Sequence, residues 1–163
     1  NGAQKGEEVV FFYPASSASY KNHRVILDAC SCLKNEGIDG YRVVFTLSGS
    51  EGALSESLKA RSEEEDLPIQ FCGHLGREEM GAAYMESNVL LFPSRLETWG
   101  LPLQEAQQFG LEIIASDLDY AHETVGGYGQ ASFFDPTNSR ELAGLMRDLV
   151  TEKQSPAISK GLQ

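Results

Sequence analysis

The chain is poor in basic residues, in cysteine and in long apolar runs, and each shortage excludes a class of function. Thirteen Lys and Arg stand against 24 Asp and Glu, a formal net charge of −11 over 163 residues. A surface that tracks nucleic-acid phosphates is therefore not expected, and any anionic ligand must be met locally, by helix N-termini and a few cations. The three cysteines, Cys30, Cys32 and Cys72, have neither a zinc spacing nor a CxxC pair. They read as buried or half-buried free thiols, in keeping with a reducing, cytoplasmic setting. No run approaches the roughly 20 apolar residues of a membrane-spanning helix. The opening NGAQKGEE has neither the basic start nor the apolar centre of a signal peptide. The loop after the first apolar run lacks both GxGxxG and GK[ST], which disfavours a conventional dinucleotide site and excludes a P-loop.

What is present is an alternation. Apolar runs at 9–13, 42–47, 69–73, 89–93, 112–116 and 131–135 read as strands buried on both faces. Between the first two, Val25, Ile26, Ala29, Cys30 and Leu33 share one helical stripe that Gly37 terminates. Further helices are expected at about 53–66, 78–87, 102–109 and 139–150, the last capped by Asn138 with Glu141. The tail 152–163 is polar and loosely patterned. The pattern predicts one α/β domain over 1–163: a doubly wound, Rossmann-like parallel sheet of about six strands with helices on both faces. Ligands of such sheets bind at the carboxyl ends of the strands, which singles out the loops 14–20, 48–53, 73–78, 94–101 and 117–123.

Two of these loops carry chemistry. The first, PASSASYKN, has small side chains that admit a phosphate to the backbone, followed by Lys21, expected in the first turn of the next helix. The plainer alternative is a serine N-cap and a surface lysine. The second, FPSRLETWGLPLQEAQQF, holds Glu97 and Glu105 separated by seven residues. Pro102 marks a helix start near Leu101, which leaves the amides of Gly100, Leu101 and Leu103 available to a phosphate or sugar. Carboxylates beside them suit vicinal diols, since each oxygen accepts one O–H. Taken singly, Glu105 reads as an acid near a helix dipole and Glu97 as a solvent-facing loop residue.

The segment FPSRLETWGLPLQEAQQFGLEIIASD resembles the E-x7-E segment of the retaining GT-B glycosyltransferases, the glycosyl transferases group 1. Pro93, Ser94, Glu97, Gly100, Leu101, Pro102, Glu105, Gly110, Ser116 and Asp117 match that family's pattern. Outside it, Lys21-Asn22, Gly73-His74-Leu75, the helix REEMGAAYMES, Glu123 and Asp135-Pro136 extend the resemblance over about residues 8–150. Many members have a Gly-Arg pair after the first strand where this chain has Pro14-Ala15; Arg95 is a candidate stand-in for that cation. The likeness covers only the family's C-terminal, donor-binding domain. The end SPAISKGLQ stops where members continue into a helix that returns to the N-terminal acceptor domain.

The resemblance implies a UDP- or GDP-linked sugar as donor, no metal or other cofactor, and hexosyl transfer with retention in the full-length parent. The isolated domain is expected to be inactive. A membrane-linked acceptor is compatible with it. By the same resemblance Glu105 accepts from the ribose and Glu97 from the donor sugar, and Lys21 stabilises the departing diphosphate. The backbone from Thr98 and Trp99 to Gly100 and Leu101 approaches sugar or phosphate, and His74 and Leu75 lie near the base. The other readings are a glycoside hydrolase with Glu97 and Glu105 roughly 5–9.5 Å apart across a glycosidic bond, and a non-catalytic Rossmann-like or receiver-like module. Pro14-Ala15 offers no acid pair for the latter. The D-x-D spelling at 117–119 is an ordinary loop acid beginning after a strand, not a metal motif.

Overall fold

The computed structural model describes residues 7–155. The first six residues, and the stretch 156–163 that includes the chain's end and most of its polar tail, lie outside them.

Six strands form one sheet: β1 (Val9–Tyr13), β2 (Tyr41–Phe45), β3 (Ile69–Phe71), β4 (Val89–Phe92), β5 (Glu112–Ser116) and β6 (Ala131–Phe134). Their order is β3-β2-β1-β4-β5-β6, and every pairing is parallel. The helices are α1 (His23–Asn35), α2 (Ala53–Glu64), α3 (Arg77–Glu86), α4 (Leu101–Gln108), α5 (Asp119–Val125) and α6 (Ser139–Gln154). β1 and β4 are wholly buried because helices cover both sides, as continuous apolar runs require. Successive side chains of β1 make the point: Phe12 meets Tyr84 of α3 edge-on at 5.2 Å, while Tyr13 meets His23 of α1 at 4.8 Å. α6 packs beside α1 on the second of these faces.

The chain runs from β1 outward to β3, then crosses back to place β4 on the other side of β1. The loops after β1 and β4 therefore diverge at a topological switch point, the crevice where doubly wound sheets take ligands.

Local signals account for most element ends. Gly37, at φ +74°, closes α1 with the amides of Gly37 and Ile38 on the carbonyls of Lys34 and Leu33. Asn138 Oδ1 accepts from the Glu141 amide at 3.1 Å and caps α6 as expected. Cys30 is buried and Cys32 and Cys72 are half-buried, all free; burial pushes the Cys30 thiol up to about 12.

Three expectations are corrected. The segment 117–123 is not a plain loop, because α5 begins at Asp119 and buries Ala121 and Val125. α6 runs four residues past 150. Lys21 is not in the first turn of α1: it ends a separate 3-10 turn, Ser19–Lys21, and the α1 N-cap is Asn22 rather than a serine. No helix among the described residues is long and apolar enough to cross a membrane.

Candidate functional site

The loop after β1 is held by its own backbone and by a single asparagine. Asn22 adopts a left-handed conformation (φ 61°), which asparagine tolerates better than most side chains, and that turn points its amide inward. Its Nδ2 donates to Pro93 O at 3.0 Å and to Pro136 O at 2.9 Å, tying together the carboxyl ends of β1, β4 and β6. The Arg95 amide donates to Tyr20 O at 2.9 Å, and the Tyr13 hydroxyl donates to Lys21 O at 2.7 Å. From the far side the Tyr120 hydroxyl of α5 donates to Ser94 O at 2.5 Å. The two loops at the switch point are thus one cross-linked unit.

That unit brings Lys21 and Glu97 together. The ammonium and Oε1 are 2.5 Å apart, with side chains only 17% and 13% exposed. The sequence alternatives of a surface lysine and a solvent-facing glutamate both fail here. The charge of Glu97 reaches the neighbouring phenols: burial first, then Glu97, holds the Tyr13 hydroxyl well above the usual tyrosine range.

Three residues after Glu97, Gly100 caps α4 in the left-handed conformation (φ 57°). A Cβ there would stand 3.2 Å from Leu103 Cδ1 and 3.5 Å from Thr124 Oγ1 of α5, so glycine is favoured by the backbone conformation, while the space asks only a small shift of the Leu103 methyl. The amides of Gly100 and Leu101 have no partner among the described residues and point at the positive end of the helix. The Leu103 amide, expected to be available, is instead donated to Gly100 O at 2.9 Å. Thr98, Trp99 and Leu101 are exposed.

Glu105 lies one turn into α4 and faces a different space. It lines a pocket of about 390 Å³ between α3 and α4, together with Leu75, Gly76, Met80, Tyr84 and Phe109. Glu97 does not line it. Leu75 joins this pocket, while His74 stands exposed on the loop before it. Asp117, the first acid of the D-x-D spelling, pairs with His122 at 2.6 Å on the surface. Arg95 is exposed beside Ser19, His23 and Arg24, and has no carboxylate partner among the described residues.

Sequence reasoning did not single out Tyr13, Tyr120 and Thr124, and treated Asn22 only as half of a Lys-Asn pair. The hint available for Asn22 was an amide side chain directly before an apolar helix stripe. For Tyr120 and Thr124 it was the Ala121/Val125 spacing of a short helix.

Comparison with known proteins follows the same lines. The family model described as glycosyl transferases group 1 matches residues 1–160. The GtfA subunit of the UDP-N-acetylglucosamine–peptide N-acetylglucosaminyltransferase of Streptococcus pneumoniae is 35% identical over 92 residues, 56% of this chain and 18% of that one. O-antigen chain mannosyltransferase B of Escherichia coli is 28% identical over 110 residues, 67% of this chain and 29% of that one. Among solved structures, a glycosyltransferase from Rickettsia africae superposes with a TM-score of 0.78 at 22% identity, covering 89% of this chain and 38% of that chain. HepE of Anabaena, solved in complex with UDP, superposes at 0.75 and 18% identity, over 91% and 41%. The matched regions therefore span well under half the length of each of these proteins. With a doubly wound sheet, a cross-linked switch point and a family model matched over nearly its whole length, this chain belongs to the glycosyl transferases group 1 family.

Proposed function

We propose that this domain binds a nucleotide sugar and forms the donor half of a retaining GT-B glycosyltransferase that moves a hexose from UDP or GDP to an acceptor. The observation that carries the reading is that the switch-point loops present the Lys21–Glu97 pair and the unpartnered amides of Gly100 and Leu101, while Glu105 lines the α3–α4 pocket. In this reading a diphosphate binds between the Lys21 ammonium and the two amides at the N-terminus of α4. The ribose diol meets Glu105, the base lies towards His74 and Leu75, and the hexose lies along Thr98 to Leu101 with Glu97 accepting one of its hydroxyls. As the glycosidic bond breaks, charge develops on the diphosphate, and Lys21 stabilises it there.

Support comes from the named activities of the Streptococcus and Escherichia relatives, which are transfers of N-acetylglucosamine and mannose, and from the UDP held by the Anabaena structure. The acceptor face belongs to a second, N-terminal Rossmann-like domain, so the 163-residue chain alone binds donor without transferring sugar. Calorimetry with UDP, GDP, ADP and their sugars tests this. One nucleoside diphosphate is expected to bind saturably and Glu105→Gln to weaken it. No saturable binding by any of them at millimolar concentration would contradict the donor-site reading.

A further inference from the structure

Tyr84 of α3 is among the largest fully buried side chains of the molecule, and its hydroxyl has no hydrogen-bond partner among the described residues. The ring cannot swing away to find one. Phe109 stacks on one face at 5.1 Å with planes 7° apart, and Phe12 meets it edge-on at 5.2 Å. A phenylalanine would pack the same way without stranding a polar atom, so packing alone leaves the hydroxyl unexplained. Glu105 lines the same α3–α4 pocket as Tyr84. Burial and then Glu105 push the Tyr84 phenol far above its ordinary range, which keeps it protonated and a donor at every physiological pH.

We propose that Tyr84 is a positioning residue for Glu105: a turn of the Glu105 carboxylate towards the clamped hydroxyl lets that hydroxyl donate to one carboxylate oxygen and leaves the other to accept from the ligand's ribose diol. The inference rests on the donor-site reading of Glu105. A carboxylate offers two oxygens and about four acceptor directions, and without an anchor it rotates freely about its last bond. Once made, the Tyr84 bond holds the carboxylate in one rotamer towards the diol. The Tyr84 hydroxyl never touches ligand; it acts through Glu105 alone.

Two measurements test this on the 163-residue chain. In the ligand-free protein, the Tyr84 ¹³Cζ resonance is expected to move when Glu105→Gln is introduced; an unmoved resonance overturns the contact whether or not any nucleotide binds. In calorimetry, Tyr84→Phe is expected to weaken the preferred nucleoside diphosphate about three- to ten-fold. The same substitution should leave the 2′,3′-dideoxy analogue unaffected, add nothing in a Glu105→Gln background, and keep or raise the thermal midpoint. Equal weakening of both ligands, or additivity with Glu105→Gln, would show a structural role only and overturn the proposal. If the unmodified chain binds no nucleotide, the donor-site reading fails by itself, and the resonance still decides the Tyr84–Glu105 contact.

Discussion

Lys21 and Glu97, 76 positions apart in sequence, form an ion pair with 2.5 Å between Nζ and Oε1, and both side chains are largely withdrawn from water. Because each neutralises the other, removing one exposes the other's charge to a poorly solvated site. Lys21→Ala should cost about 1–3 kcal/mol of stability, below the figure for a fully buried pair because some solvent reaches this one. Lys21→Ala/Glu97→Ala should recover part of that loss. Binding moves the opposite way for the two partners: Lys21→Ala weakens a nucleoside diphosphate, whereas Glu97→Gln frees the ammonium and tightens it at low salt. Urea titrations and calorimetry at two salt concentrations read both effects, and matching losses of diphosphate affinity in the two single variants would refute the assignment.

Asn22 holds two carbonyls with one side-chain amide, from a backbone conformation few residues adopt. Asn22→Asp turns that donor into an acceptor facing Pro93 O and Pro136 O, and should cost about 2–4 kcal/mol. Asn22→Gly keeps the left-handed turn but loses both bonds, and should fall between the wild type and the aspartate. Thermal midpoints rank the three, and an aspartate variant as stable as the parent would show that the amide does not staple the loops.

His23 is buried between Tyr13 and Phe45 with neither ring nitrogen hydrogen-bonded among the described residues. Desolvation, with a smaller contribution from Lys21, lowers its folded-state value to about 4 from an ordinary 6.5. Between those values the unfolded chain binds more protons than the folded one. The neutral imidazole therefore contributes about 3 kcal/mol above pH 6.5, and this is lost as pH falls towards 4, with about 2 kcal/mol gone by pH 5. The Glu51 carboxyl is also held low, at about 2, by the Ser48 amide and further hydrogen bonds, so acid acts on other groups too. The His23 share is isolated by comparison: His23→Phe should flatten the pH 7.5 to 5 slope of urea midpoints, and an unchanged slope would mean the imidazole is not buried neutral.

The sheet was legible because buried parallel strands leave continuous apolar runs: β1 and β5 lie where expected, and no boundary of the other four is off by more than two residues. α5 was not, because seven residues are too few for the helical period to stand out and Asp117–Asp119 reads equally well as a loop. Glu97, Gly100 and Glu105 were legible through a long motif at fixed spacing. The Lys21–Glu97 pair was not: the contact spans strands β1 and β4, and local sequence says nothing about which loop ends meet. Tyr84 shows the same limit from the core outward. The sequence places it on a helix, but only the packed α3–α4 arrangement brings it to the pocket that Glu105 also lines.

Trp99, the chain's sole tryptophan, is 76% exposed on the loop between Glu97 and Gly100, and no aromatic ring packs on it among the described residues. Its removal should change stability by less than about 0.5 kcal/mol, since an exposed side chain without partners contributes little to the folded state. Its value is as a reporter of the proposed hexose subsite. In the free protein the indole should emit as a water-exposed group. A nucleoside diphosphate, held by Lys21 and the amides of Gly100 and Leu101, leaves the indole wet and should alter emission modestly. The corresponding nucleotide sugar places a hexose along Thr98 to Leu101, displaces water from the indole, and should shift emission to the blue by more. A titration followed in parallel by fluorescence and calorimetry makes the comparison at equal occupancy. If the sugar nucleotide saturates the protein by calorimetry and yet gives the same emission as the bare diphosphate, the hexose does not lie along this loop, and Glu97 loses its assigned partner while Glu105 keeps its own.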